Sequence, residues 1–176
     1  MKTSIKNFWV LTFLFTLMTS SISFAQSLTD PEIASVAVTA NKIDINMADI
    51  ALKKSTNKDV KDFATMMKKD HQAVIDQAVA LVTKLGVTPK DNALSKSLMT
   101  SAEKTKKDLN SKSKADFDKA YIDNEVSFHK TVINTVKNTL IPQSQNAELK
   151  ALLQSVVPIL ETHLQHSQML QSKFSK

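Results

Sequence analysis

Hydrophobic residues recur through most of this 176-residue chain at the three- and four-residue spacing that places them on one face of an α-helix. No stretch alternates apolar and polar residues as a half-buried strand does, and the β-branched residues also fall at helical spacing. The pattern predicts an all-α fold with four long helices. We place them at about residues 31–54, 58–85, 114–140 and 146–173.

Glycine and proline are rare, and they stand where these helices should begin, end or bend. Pro158 falls inside the fourth helix, opposite its apolar stripe, where it is predicted to curve the helix around the core. Asp30 is predicted to cap the first helix, with Pro31 at its first position. Gly86 is predicted to end the second helix in a left-handed C-cap. Ser113 opens the third helix with the Ser-x-x-acid pattern of a capping box, and the helix should end before Pro142.

A long, polar, lysine-rich segment with a thin apolar edge separates the second and third helices. We interpret it as a crossover helix at about residues 92–110, with a disordered connection as the alternative. The other two connections are short, so the long helices form two antiparallel hairpins. Two hairpins joined by one long crossover make the ferritin-like kind of four-helix bundle.

The first 25 residues have the three parts of a secretory signal peptide: a basic start, an apolar middle and a small-x-small end, "SFA". Cleavage there leaves residues 26–176 as a single domain with no further segment long enough to span a membrane. We therefore expect an exported protein, periplasmic or secreted, with outer-membrane association as a further option. An uncleaved N-terminal anchor is the rival interpretation.

Composition narrows the functions that this domain can have. The chain has no cysteine, so disulfides, lipid attachment at cysteine and thiolate chemistry are excluded. Every basic residue is lysine, and aromatic residues are scarce, which disfavours specific nucleic-acid binding. The surplus positive charge fits a solvated surface or contact with anionic lipid or polysaccharide in the cell envelope. The sequence sets no oligomeric state.

Candidate chemistry comes from polar residues that stand where each apolar stripe should be. Glu125 and His129 share the stripe of the third helix, one turn apart. Each of the other three long helices carries one such residue. The full set is Asp44, His71, Glu125, His129 and His163. Burying carboxylates and imidazoles costs several kcal/mol unless they find partners, so the set requires an explanation.

Two interpretations of this set remain open. Histidines and carboxylates from separate helices are how metal sites are built inside helical bundles. The same residues can instead form a hydrogen-bonded network that binds nothing. A third class, a metal-dependent oxidase or hydrolase, needs an open coordination position and a pocket, for which the sequence has no signal. Three further residues, Asp70, Glu161 and His166, are predicted to lie on solvated flanks.

Three segments, "MMKKDH" at 66–71, "FDKAYID" at 117–123 with His129 beyond it, and "PILETHL" at 158–164, resemble a family of exported bacterial proteins. That family is catalogued as domain of unknown function 4142 and is labelled with an outer-membrane location. The resemblance covers nearly all of residues 26–176. It implies a ferritin-like helical bundle outside the cytoplasm and carries no established catalytic activity.

Ferritins and other di-iron carboxylate proteins are a more distant likeness. They require a Glu on two helices and Glu-x-x-His on the other two. Here the third helix has Glu-x-x-x-His, the fourth has Glu-x-His, and the second has no Glu. This departure argues against di-iron chemistry. If a metal binds, a histidine-rich mononuclear site suits zinc, copper or nickel better.

Overall fold

The computed structural model describes residues 27–174, and the predicted signal peptide and its cleavage point before Gln26 lie outside them. Within the described part of the chain all regular structure is helical, which confirms the all-α prediction. The helices are α1 Asp30–Lys54, α2 Lys58–Lys84, α3 Ala93–Ser111, α4 Lys114–Thr135, a π-helical segment Val136–Leu140, α5 Ile141–Gln143 and α6 Ala147–Phe174. None of the helices in residues 27–174 is both long and apolar enough to cross a membrane.

The bundle consists of α1, α2, α4 and α6. Helix α1 packs mainly against α2, and α4 packs mainly against α6, so each predicted hairpin is present. The two hairpins meet where α2 contacts α6 and, more sparsely, where α1 contacts α4. Helix α3 lies outside this core against α1, held by its buried Leu109 and by the half-buried Leu98. The crossover is therefore helical, not disordered.

Capping residues explain most helix boundaries. Asn57, Ser113 and Asn146 each accept hydrogen bonds from backbone N–H groups at the start of α2, α4 and α6. Gly86 follows α2 with φ of 63°, the left-handed conformation that glycine adopts without strain.

Asp30 does not cap α1, contrary to the prediction. Thr29 is the N-cap and forms a capping box with Glu32, so Asp30 is already helical. The Asp30 carboxylate instead accepts hydrogen bonds from the backbone N–H groups of Gln145 and Asn146, at 2.9 and 2.8 Å. It thereby fixes the connection before α6.

The third long helix also runs further than predicted, through Pro142 to Gln143. Proline lacks the N–H that an α-helix needs, and the turn before it is a π-helix in which the N–H of Ile141 bonds to the carbonyl of Val136. This wider turn lets the chain pass Pro142 without ending the helix. In α6, Pro158 is tolerated on the solvent side, as its position opposite the apolar stripe predicts.

Candidate metal centre

The apolar core is divided into two clusters along the bundle. The first apolar cluster contains Phe63, Phe117 and Tyr121. The second contains residues of the opposite end, among them Ile33 and Leu153. On α2, α4 and α6 the predicted inward polar residues lie between the helix's contributions to these two clusters, and on α1 Asp44 lies beside Ile43, where the first cluster begins. The bundle thus has a polar layer at the middle of its core.

This polar layer consists of the five residues predicted from the sequence, and each is at most 4% exposed. They come from all four long helices: Asp44, His71, Glu125, His129 and His163. Their inward orientation is confirmed. Their role as metal ligands stays a prediction.

The three histidines, which we call the histidine cluster, face one another. Ring centroids are 5.7 Å apart for His71 and His129, 5.2 Å for His71 and His163, and 5.4 Å for His129 and His163. One ring nitrogen from each lies within 4.8 Å of the other two. Nitrogens bound to one tetrahedral zinc ion are about 3.4 Å apart, so small side-chain movements complete such a site.

Each histidine is oriented by an oxygen atom at one of its ring nitrogens. Nδ1 of His71 lies 2.7 Å from Oδ1 of Asn41. Nδ1 of His129 lies 3.0 Å from the carbonyl oxygen of Glu125, one turn earlier in α4. Because these oxygens accept hydrogen bonds, they fix the N–H of each ring on that side.

His163 is oriented in the same way, but through its other nitrogen. Its Nε2 lies 3.0 Å from Oδ2 of Asp70, which reaches across from α2. The second nitrogens of the three rings are buried and have no hydrogen-bond partner within residues 27–174: Nε2 of His71, Nε2 of His129 and Nδ1 of His163. Three lone pairs are therefore left in the interior, each on a ring held by an outer contact.

Two carboxylates complete the layer. Oδ2 of Asp44 lies 3.3 Å from Nε2 of His71 and 3.7 Å from Nε2 of His129, without the alignment of a hydrogen bond. Oε2 of Glu125 lies 3.6 Å from Nδ1 of His129. All four carboxylate oxygens are buried without a hydrogen-bond partner in the described part of the chain. Asp44, Glu125 and His129 also bring ligand atoms within 4.8 Å of one another.

The environment sets the protonation of these groups. Burial, and then the Asp44 carboxylate, raise the pKa of Glu125 well above its usual value. Burial also acts on Asp44, but the surrounding histidines outweigh it and hold the pKa of Asp44 below normal. Burial lowers the pKa of His129 to about 4 and also lowers the pKa of His163, against the opposing bond to Asp70. At neutral pH these two rings are therefore neutral, as metal binding requires.

A family model described as a domain of unknown function (DUF4142) matches residues 18–170. The chain belongs to the DUF4142 family. No curated protein matches it significantly. A solved structure described as "CopM in the Cu(II)-bound form" has a TM-score of 0.64 and 13% identity, and the match covers 84% of this chain and 99% of that chain. At this identity the likeness shows a shared fold.

Two residues of this DUF4142 chain that orient the cluster were missed by sequence reasoning. Asp70 was predicted to be solvated because a wheel of α2 places it on the flank, yet it reaches His163 on α6. Asn41 lies one turn before Asp44, and nothing in α1 alone indicates its contact with His71. Both contacts join different helices, so the sequence of a single helix contains no signal for them.

Neither of the other two predicted flank residues belongs to the histidine cluster. Glu161 is half-buried and pairs with Lys137, away from the cluster. His166, the fourth histidine of the DUF4142 chain, packs edge-on against Phe63 in the first apolar cluster, with ring centroids 5.3 Å apart. It therefore serves as an internal control for experiments on the other three.

The donor set fits a transition metal ion. Neutral imidazole nitrogens and one or two carboxylates are ligands of zinc, copper and nickel, whereas magnesium and calcium prefer sites made of oxygen alone. Since each ring is already anchored at its other nitrogen, the site has the outer contacts that orient metal-bound histidines in known proteins.

Proposed function

We propose that this protein is an exported, non-enzymatic helical bundle that holds one divalent transition metal ion in its core. His71, His129 and His163 supply three ligands, and Asp44 supplies a fourth, with Glu125 beside it. The observation that carries this proposal is the set of three buried ring nitrogens without partners, each on a ring whose other nitrogen is held by an oxygen atom.

The alternative is a buried hydrogen-bond network that binds nothing. Such a network stabilises a core only when its members satisfy one another, because an unpaired buried polar atom costs about 1–3 kcal/mol. Seven polar atoms of the five residues lack a hydrogen-bond partner within residues 27–174. A bound cation compensates a buried carboxylate and three lone pairs together, which a network made of these side chains does not do.

Copper and zinc are the ions to test first. The ligand types suit both metals, and the structurally similar CopM was solved in a Cu(II)-bound form. Sequestration of the ion, or tolerance of metal stress in the cell envelope, is the role that fits an exported protein with a buried site. The sequence features of a signal peptide support a periplasmic or secreted location.

The decisive experiment uses residues 26–176 without a histidine tag. The protein is stripped of metal, loaded with Cu(II) or Zn(II), separated from free ions and measured for bound metal by elemental mass spectrometry. We expect about one ion per chain in the parent, near-complete loss in His163→Ala, and retention in His166→Ala. The two substitutions remove the same side chain from one helix, so the comparison separates the site from general histidine content.

Stability measurements distinguish the alternative network. Metal binding predicts that saturating Zn(II) raises the Tm of the parent and of His166→Ala but not that of His163→Ala. The network predicts no bound metal, and a loss of Tm in His163→Ala that is the same with and without added ions. The outcome that the network predicts would refute the proposed function.

A further inference from the structure

A cavity of about 60 Å³ adjoins the histidine cluster on the side of the second apolar cluster. It runs between α1, α2, α4 and α6 and is bordered by Leu98 of α3. A single buried water needs roughly 10–15 Å³, so the cavity has room for several groups of that size. The sequence contains no sign of it, because small residues of several helices create the space together.

The walls of the cavity are almost entirely apolar. The side chains of three alanines of α1 and of Ala78 of α2 are too small to fill the space, and aliphatic residues of α4 and α6 enclose it. No lysine lines it, and the one charged residue in the lining, Asp70, is bonded to His163. An anionic ligand would find no cation there, and a cationic one would lose its hydration without a free partner. The lining therefore selects an uncharged molecule.

The polar end of the cavity is the histidine cluster. His71, His129 and His163 line it, whereas Asp44 and Glu125 do not. Met47 and Ile122, one turn from Asp44 and Glu125, belong to the first apolar cluster, whereas the apolar lining of the cavity comes mainly from the second. We therefore place the cavity on the face of the histidine cluster away from the two carboxylates. A metal ion held by the three rings would turn one face to the carboxylates and the other to an apolar space.

We propose that the cavity binds a small, uncharged, mainly apolar molecule with one donor atom, which coordinates the metal on the face away from Asp44 and Glu125. The apolar part of the molecule packs against the second apolar cluster. Two residues of its lining, Thr131 and Ile159, are exposed to solvent. Occupation of the cavity is independent of the proposed function, whereas coordination of the metal rests on it.

The first test uses benzene and metal-free protein. Benzene has the apolar body without a donor atom, so it reports on the cavity alone. We expect saturating benzene to raise the Tm of the parent by a few degrees and to leave Ala78→Leu unchanged, because the larger side chain fills the space. Ala73→Leu, on the exposed face of the same helix, should respond like the parent. Equal shifts in all three proteins, or none in the parent, would overturn the cavity site.

The second test uses pyridine and Cu(II)-loaded protein. Pyridine is nearly the shape of benzene and adds one nitrogen donor. We expect pyridine to change the electron paramagnetic resonance spectrum of the bound Cu(II) in the parent, and excess benzene to reverse the change. The reversal needs no variant, so the test stands even if Ala78→Leu folds poorly.

The two measurements separate the possible failures. If benzene stabilises the protein but pyridine leaves the copper spectrum unchanged, coordination of the metal by a molecule in the cavity is overturned, and the metal site itself stands. A spectral change that benzene does not reverse would place pyridine elsewhere and would also overturn it. Failure of both Cu(II) and Zn(II) to bind would refute the proposed function together with coordination, while the benzene test still decides whether the cavity is a binding site.

Discussion

Oδ2 of Asp70 on α2 lies 3.0 Å from Nε2 of His163 on α6, so this contact joins the two hairpins at the level of the polar layer. Asp70 is half-buried, and His163 is almost completely buried. The contact fixes the His163 ring with Nδ1 facing the interior. An outer carboxylate of this kind orients a metal ligand and raises its basicity.

We expect Asp70→Ala to lower the affinity for Cu(II) or Zn(II) by about 10- to 100-fold, the usual effect of removing an outer partner of a ligating histidine. Isothermal titration calorimetry of the purified protein measures the change. Asp76→Ala removes an exposed carboxylate from the same helix and should bind like the parent. Equal affinity in both variants would show that Asp70 does not position a ligand.

Glu125→Gln should have opposite effects on stability and on metal affinity. The pKa of Glu125 is raised in the folded protein, so the folded state binds more protons than the unfolded chain above about pH 4.5, and stability falls as pH rises. The glutamine amide does not ionise, so the variant does not lose stability in this way as pH rises. The metal-free variant should therefore be more stable than the parent at pH 7, with the difference vanishing below pH 4.5. Urea denaturation across this range measures it.

The same substitution should weaken metal binding, because it replaces a negative carboxylate beside the ion with a neutral group. We expect the affinity for Zn(II) to fall by ~10-fold or more. If the variant instead gains stability and keeps full affinity, Glu125 lies outside the coordination shell.

Acid should destabilise the metal-free protein through His129. Its pKa falls from 6.5 to about 4 on folding, so the unfolded chain binds more protons between these values and stability is lost as pH falls from about 6.5 to 4. The full shift corresponds to about 3 kcal/mol. Glu125 opposes this trend in the parent, so the loss is best measured in Glu125→Gln. A flat profile there would contradict the buried, neutral state of His129.

Lys54 is predicted to stabilise the crossover. Its Nζ donates hydrogen bonds to the carbonyl oxygens of Leu109, Asn110 and Lys112 at 2.9, 2.7 and 3.1 Å, and lies 5.1 Å from the centroid of the Phe117 ring. It thus satisfies carbonyls at the end of α3, where a positive charge is favoured.

Lys54→Met keeps the length of the side chain and removes the charge and donors. We expect it to lower the free energy of unfolding by about 1–3 kcal/mol, measured by chemical denaturation. Lys53→Met, on an exposed neighbouring position, should change it little. A similar small effect of both substitutions would mean that the crossover does not depend on this contact.

Much of the polar layer was predictable because its residues break a strong local pattern. His71, Glu125 and His129 stand where the apolar stripe requires a hydrophobic residue, and burial of that stripe dictates their direction. The level of each residue along the bundle axis was harder to predict. Counting along helices that end before Pro142 places Glu125 closer to the level of His163 than His129, yet the rings of His129 and His163 are neighbours. The helix continues through Pro142 to Gln143, so that count starts from an end that is placed too early.

The sequence by itself determined the helices, their hairpin order and the five inward polar residues, because periodicity and capping act within a few residues of one another. Only the tertiary structure decided which ring nitrogens stay without partners, that Asp70 and Asn41 hold His163 and His71, and that an apolar cavity borders the histidine cluster. Those features depend on distances between side chains of different helices. Such distances are fixed by how the four helices pack, and no pattern along one helix records them.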